Sequence, residues 1–174
     1  MTIATRSSLC VALLVLGAAS AASCDPVEGD AITALGGEAP GVRRGPLHRP
    51  GQPCLLCHDG AIGDPPAFSI AGTVFETPTS ALAEDGATVS LTDANMSQYV
   101  ATTNGAGNFY LTPSEWSPVF PLSAITVTSA SGMTVTMQSN VGRDGACATC
   151  HFDPAGADSP GHVCVSLDDG GVPP

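Results

Sequence analysis

The chain has 174 residues, 43% of them hydrophobic, and sixteen acidic side chains face five basic ones for a net charge of −11. Lysine is absent, and without the first two dozen residues four arginines remain, for a net charge of about −12 on a length that suits one domain. Such a surface repels phosphate, which excludes nucleic acid as a partner and disfavours anionic lipid headgroups.

Arg6 is followed by an apolar run over residues 9–19, too short to span a bilayer comfortably, and then by small residues ending in Ala21-Ala22-Ser23-Cys24. The pattern reads as an export signal over residues 1–23. Its end resembles a bacterial lipobox, with Ala21 where leucine is usual, and the resemblance implies acylation of Cys24. An ordinary signal cut after Ala19-Ser20-Ala21 is the competing account. The expected location is the bacterial periplasm or cell surface, with membrane contact only through Cys24.

Residues 24–45 are rich in Gly, Pro and acidic groups and read as a flexible tether. Residues 46–66 carry Cys54-Leu55-Leu56-Cys57-His58, and residues 143–167 carry Cys147-Ala148-Thr149-Cys150-His151. In this pattern two thiols add covalently to the vinyl groups of a haem, and the histidine becomes the proximal iron ligand. With 4 histidines in the chain, a C-x-x-C is followed by His by chance about 2% of the time, and here it happens twice. The expectation is two haems c, held at Cys54/Cys57 with His58 and at Cys147/Cys150 with His151. The flanking sequence shows no helical period, so both haem-binding segments are expected to be irregular.

Between them, residues 67–142 change character. The runs at 68–75, 87–92, 125–128 and 133–137 alternate apolar with hydroxyl residues, and Asn104-Gly105 and Gly107-Asn108 supply turn chemistry before a further strand at 108–111. The expected fold is all-β, a small antiparallel sandwich of six or seven strands flanked by the haem-binding segments. Its core should hold Val74, Val89, Leu91, Phe109, Leu111, Ile125, Val127 and Val135, with Trp116 and Tyr99 partly buried. Residues 168–174 read as a disordered tail.

The elements Gly72-Thr73-Val74, Gly86-Ala87-Thr88-Val89-Ser90-Leu91-Thr92 and Thr102-Thr103-Asn104-Gly105-Ala106-Gly107-Asn108-Phe109-Tyr110-Leu111 resemble the carboxypeptidase regulatory-like (transthyretin-like) sandwich. That resemblance covers about 75 residues and implies seven strands and no catalytic residues. Residues 113–122 depart from the family's usual short turn, and the pentads lie outside it. The whole is similar to a dihaem c-type cytochrome built around a sandwich.

Two other accounts of the cysteines compete with haem. Cys54, Cys57, Cys147 and Cys150 match the spacing of a four-thiolate zinc site, but such a site needs neither histidine. Local redox disulfides are the other, and no thioredoxin-like βαβ pattern surrounds them. On the distal side, His48 stands ten residues before His58 and His162 eleven after His151. Ten extended residues reach about 33 Å, enough to bring the chain from one haem face to the other. Bis-histidine ligation at both irons is therefore expected, with Met96 as an alternative ligand and Met133 and Met137 assigned to the core.

Arg43, Arg44, Arg49 and Arg143 cluster near the pentads and suit haem propionates, although linkers also collect charge. Cys164 is left over if Cys24 is acylated and could pair with it if not. The functional expectation is an electron carrier that exchanges with redox partner proteins and is not an enzyme. A surface β-sandwich binding module, with haem or zinc as a staple or sensor, is the alternative. The strand count bears on mechanism, because an odd number separates the two haem segments and an even number brings them together.

Overall fold

The computed structural model describes residues 26–38, 40–61 and 65–166. The expected export signal, Cys24 and the expected tail at residues 168–174 lie outside the described residues. Among the described residues no helix is long and apolar enough to cross a membrane. Two compact units are separable, residues 1–34 and residues 35–174.

In the first unit, α1 (Pro26–Ala34) is a nine-residue helix where the sequence suggested an irregular tether. Pro26 opens it with a preset φ, and Glu28 lies in the first turn, at the positive end of the dipole. Its apolar residues do not gather on one face, so no periodicity signalled the helix.

In the second unit, seven strands form two sheets. The three-stranded sheet has the order β4-β1-β7, from β4 (Asn108–Leu111), β1 (Ile70–Phe75) and β7 (Val163–Cys164). The four-stranded sheet has the order β3-β2-β5-β6, from β3 (Gln98–Thr102), β2 (Thr88–Thr92), β5 (Ser123–Thr128) and β6 (Thr134–Thr136). All pairings are antiparallel except β1 with β7, where Val74 and Phe75 lie parallel to Val163 and Cys164. This is the expected all-β sandwich of six to seven strands. Six strands come from the middle of the chain, and the seventh comes from the segment that carries the second pentad.

Ile70, Val74, Val89, Leu91, Phe109, Leu111 and Val127 fill the core, joined by Ala87, Leu122, Trp116 and Val165. Ile125 only packs against this core, and Val135 is half-buried. Met133, expected inside, is 49% exposed. The reason is its place just before β6, a three-residue edge strand with no described strand beyond it. Between Ser90 and Thr92 the register with β5 shifts by one residue, and Ala124 takes a φ of +48° there. That is a β-bulge, and it bends the strand leaving Leu122 into the sheet.

The β2–β3 connection is locked by one carboxylate. Asp93, 3% exposed, accepts hydrogen bonds from the amides of Asn95 and Ser97 at Oδ1 and of Val119 at Oδ2. The Val119 amide above all, with those of Ser97 and Asn95, holds its carboxyl below the usual aspartate range. The folded form therefore binds this proton less readily than the unfolded chain. Its stabilisation is complete above the ordinary aspartate range and is lost as pH falls through the depressed value. Asp93→Asn should flatten the acid limb of a plot of melting temperature against pH. An unchanged acid limb in the variant would remove Asp93 from the account.

Candidate haem-binding site

β1 is buried at all six positions, which a strand with one solvated face would not be. Ile70 and Val74 point into the core, while Ala71, Thr73 and Phe75 alternate to the opposite face. That face and the free edge of β1 are covered by the two pentad segments.

The first pentad forms a single helical turn, α2 (Leu55–His58), rather than irregular chain. The His58 amide donates to the Cys54 carbonyl at 3.0 Å, so Cys54 and Cys57, three apart, share one face of the turn. A turn this short has no period to detect. His58, 8% exposed, directs Nδ1 at the Pro66 carbonyl at 2.7 Å. Its ring stacks on Phe68 (centroids 4.3 Å apart), which stacks in turn on Tyr110 of β4 at 4.6 Å.

His48 arrives on a loop pinned to the sandwich by polar side chains. Asn108 Nδ2 donates to the carbonyls of His48 (2.9 Å) and Pro46 (3.3 Å), and Asn104 Nδ2 donates to Pro46 at 2.8 Å. Thr73 Oγ1 donates to Asn108 Oδ1 and accepts from the Gly51 amide. The result places the His48 and His58 rings edge to face, with centroids 5.8 Å apart. His48 Nδ1 lies 3.3 Å from Glu38 Oε1, near enough for an ion pair but outside hydrogen-bond geometry. Arg49 is taken up by Glu38, Gln52 and the Gly36 carbonyl, so its contacts are within this loop; Arg43, Arg44 and Arg143 are exposed.

Replacing Asn108 with leucine keeps the volume but strands the Thr73 hydroxyl and the His48 carbonyl. Leaving such groups unpaired costs on the order of 2 kcal/mol. The expected result is a lower melting temperature together with a disturbed His48 environment; a wild-type melting temperature would contradict the clamp.

The second pentad also forms one turn, a 3₁₀ helix at Cys147–Thr149, with the His151 amide donating to the Cys147 carbonyl at 3.0 Å. The chain reaches it along the free edge of β1, where the Ala71 amide donates to the Gly145 carbonyl and Ala71 bridges Ala146. It returns to the same edge as β7. Between these anchors the Ser159 hydroxyl, buried in the loop, donates to the Phe152 carbonyl and accepts from the amides of Phe152 and Gly161. This positions the Gly161 carbonyl for His151 Nδ1 at 3.0 Å, and places His162 next in sequence. His162 Nδ1 meets the Ser80 carbonyl at 2.9 Å, and its ring stacks on Phe75 at 4.0 Å. Ser159 gave no signal in the sequence, because a lone serine in a Gly- and Pro-rich loop looks like any other.

His58 therefore stands beside His48, and His151 meets the carbonyl of Gly161, the residue that precedes His162. His58, His151 and His162 direct Nδ1 at backbone carbonyls within hydrogen-bond distance, whereas His48 Nδ1 is buried without a hydrogen-bond partner. An Nδ1 so engaged leaves Nε2 as the free ring nitrogen, which is how ligating imidazoles are usually oriented. Burial, more than the neighbouring His162, lowers the His151 pKa and keeps that ring neutral, the form a ligand needs.

The thiols are equally specific. Burial foremost raises the pKa of Cys54, and burial together with the nearby Cys54 and Asp144 pushes Cys147 up to about 12. Both stay protonated near neutrality and are poor nucleophiles, which opposes a redox-disulfide role. Among the described residues no three His, Cys, Asp or Glu side chains are arranged to hold a metal ion by themselves, so the four cysteines do not converge as a thiolate zinc site would. Met96 is 74% exposed on the β2–β3 loop of the other sheet. Cys164 is buried in β7, bonded into the edge of β1.

The donor types fit two haems c: paired thiols on one turn and a following histidine at each pentad, with a second imidazole beside His58 and another following the Gly161 that His151 meets. Compared with family models, curated proteins and solved structures, the chain matches none of them.

Proposed function

We propose that this chain is an exported dihaem c-type cytochrome that carries electrons, anchored through an acylated Cys24 and built on a carboxypeptidase regulatory-like sandwich. The observation that supports the proposal is the placement of a second histidine near each pentad, His48 in ring contact with His58 and His162 next to the Gly161 carbonyl that His151 meets, with three of the four Nδ1 atoms at backbone carbonyls. Cys54 and Cys57 would tie one haem and Cys147 and Cys150 the other. At each thiol, sulfur bonds to one vinyl carbon and hydrogen to its neighbour, so nothing leaves. His58 and His151 would be the proximal ligands, His48 and His162 the distal ones. The haems, when bound, supply the ferric–ferrous couple.

The protein's part is to orient and to tune. Carbonyls of Pro66, Gly161 and Ser80 hold three imidazoles in one tautomer, and burial of His58 keeps water from its ring. Imidazole in place of thioether on the distal side favours a low potential. Both segments lie along β1, with Cys54 close enough to Cys147 to raise its pKa, which supports a relay within one molecule. The acidic surface favours cationic or neutral redox partners over nucleic acid.

The test is the mature protein itself. Its intact mass should include two haems and the acyl chains, its pyridine haemochrome should be that of haem c, and it should exchange electrons quickly with a small soluble donor. A colourless mature protein defeats the proposal, whereas two haems with negligible exchange would favour a sandwich binding module that uses haem as a staple or sensor.

A further inference from the structure

The loops that carry His48 and His162 come from opposite ends of the sandwich sequence, yet both reach one side chain. Phe75, the last residue of β1, is 6% exposed. One contact of its ring is the stack on His162, with 21° between planes. Another is Gly51, where an added methyl would lie 3.3 Å from Cζ and 3.6 Å from Cε2. Gly51 follows His48 by three residues, adopts a φ of +78°, and has its amide tied to Thr73 on the same face of β1. Phe68, by comparison, stacks on His58 alone among the four histidines.

We propose that Phe75 is a positioning residue shared by both haem sites, one ring against which the His162 imidazole and the His48 loop are both seated. The inference rests on the dihaem reading above. Its physical basis is close packing: a buried ring has no empty volume to move into, so it limits both neighbours at once. On the His162 side the constraint is direct, because the Ser80 carbonyl sets the tautomer and Phe75 sets the plane. On the His48 side it acts through the chain, because a left-handed Gly51 lets the loop approach the ring without a Cβ between them.

The experiment uses the full chain matured with haem, carrying Phe75→Leu, Phe75→Ala or Phe68→Leu. Spin state is read by electron paramagnetic resonance and resonance Raman, with His48→Ala and His162→Ala identifying the spectrum of each haem. Phe75→Ala should raise the high-spin fraction several-fold at both haems, and added imidazole should restore low spin at both. Phe75→Leu should act in the same direction but less, and it decides the matter if the alanine variant does not fold. Phe68→Leu should disturb only the haem held by His58.

With two haems attached, a Phe75 effect confined to one of them, or absent from both, overturns the shared role and leaves the dihaem reading standing. A wild-type protein that takes up no haem overturns the dihaem reading and the role of Phe75 with it.

Discussion

On the dihaem proposal, His48→Ala should convert one haem of the matured protein from low-spin to high-spin while the other stays low-spin, and His162→Ala should do the reverse. The low-spin signal should fall by about half in each variant and vanish in the double variant, since two imidazoles per iron are what hold it low-spin. The expectation follows from the ring contact of His48 with His58 and from the contact of His151 with the Gly161 carbonyl, next to His162. Crossed ligation would also halve the signal, but the haem lost in His48→Ala would then be the one attached at Cys147. Removing the Cys54/Cys57 attachment distinguishes the cases, because the surviving haem should answer only to His162. If both single variants keep their full low-spin spectra, neither histidine is a distal ligand and the assignment is wrong.

The second large effect is expected at Gly72. A methyl placed there would lie 2.8 Å from Cys147 Sγ, 2.9 Å from its Cβ and 3.0 Å from the Phe109 ring. Glycine inside a strand is ordinarily a weakness, and alanine would be expected to gain about 0.5–1 kcal/mol. At this position the sign should reverse. The Phe109 ring is buried in the core and Cys147 sits on a one-turn helix, so one of them must shift, and overpacking of this kind costs about 1–3 kcal/mol. For a domain of this size that is a fall in melting temperature of about 2–10 °C. Because the atom displaced is the sulfur proposed to attach the second haem, the variant should also carry less haem at that site, read from intact mass. A Gly72→Ala protein as stable as wild type, with two haems, would show that the cysteine turn is free to move away.

Both predictions depend on β1 acting as a common support. Its inward side chains build the sandwich, its outward side chains Thr73 and Phe75 meet the first segment, Phe75 also meets His162 of the second, and the edge opposite β4 pairs with the second segment. The six strands contributed by the middle of the chain return it to the side where it entered, so both pentads adjoin one strand.

Much of the sandwich was legible as period-two alternation, because a strand with one buried face writes that pattern locally. Val74, Val89, Leu91, Phe109, Leu111 and Val127 are core residues on that ground alone. β3 was harder to see, with Val100 57% exposed between half-buried Tyr99 and buried Ala101. α1 was missed because its apolar residues follow no face, and the pentad turns because four residues contain no period. Leu122 and Val165 escaped notice because each is isolated in its run and is buried only by partners far away in sequence.

The candidate site divides along the same line. Spacing alone nominates the thiols and the histidine beside each pair, since attachment to one cofactor is a local requirement of five residues. Which distant imidazole stands beside which depends on contacts spanning sixty to eighty residues, such as Asn108 with His48 and His162 with Ser80. Such contacts exist only once the sheets have closed, and so does the clamp at Ser159, whose value depends on the loop around it.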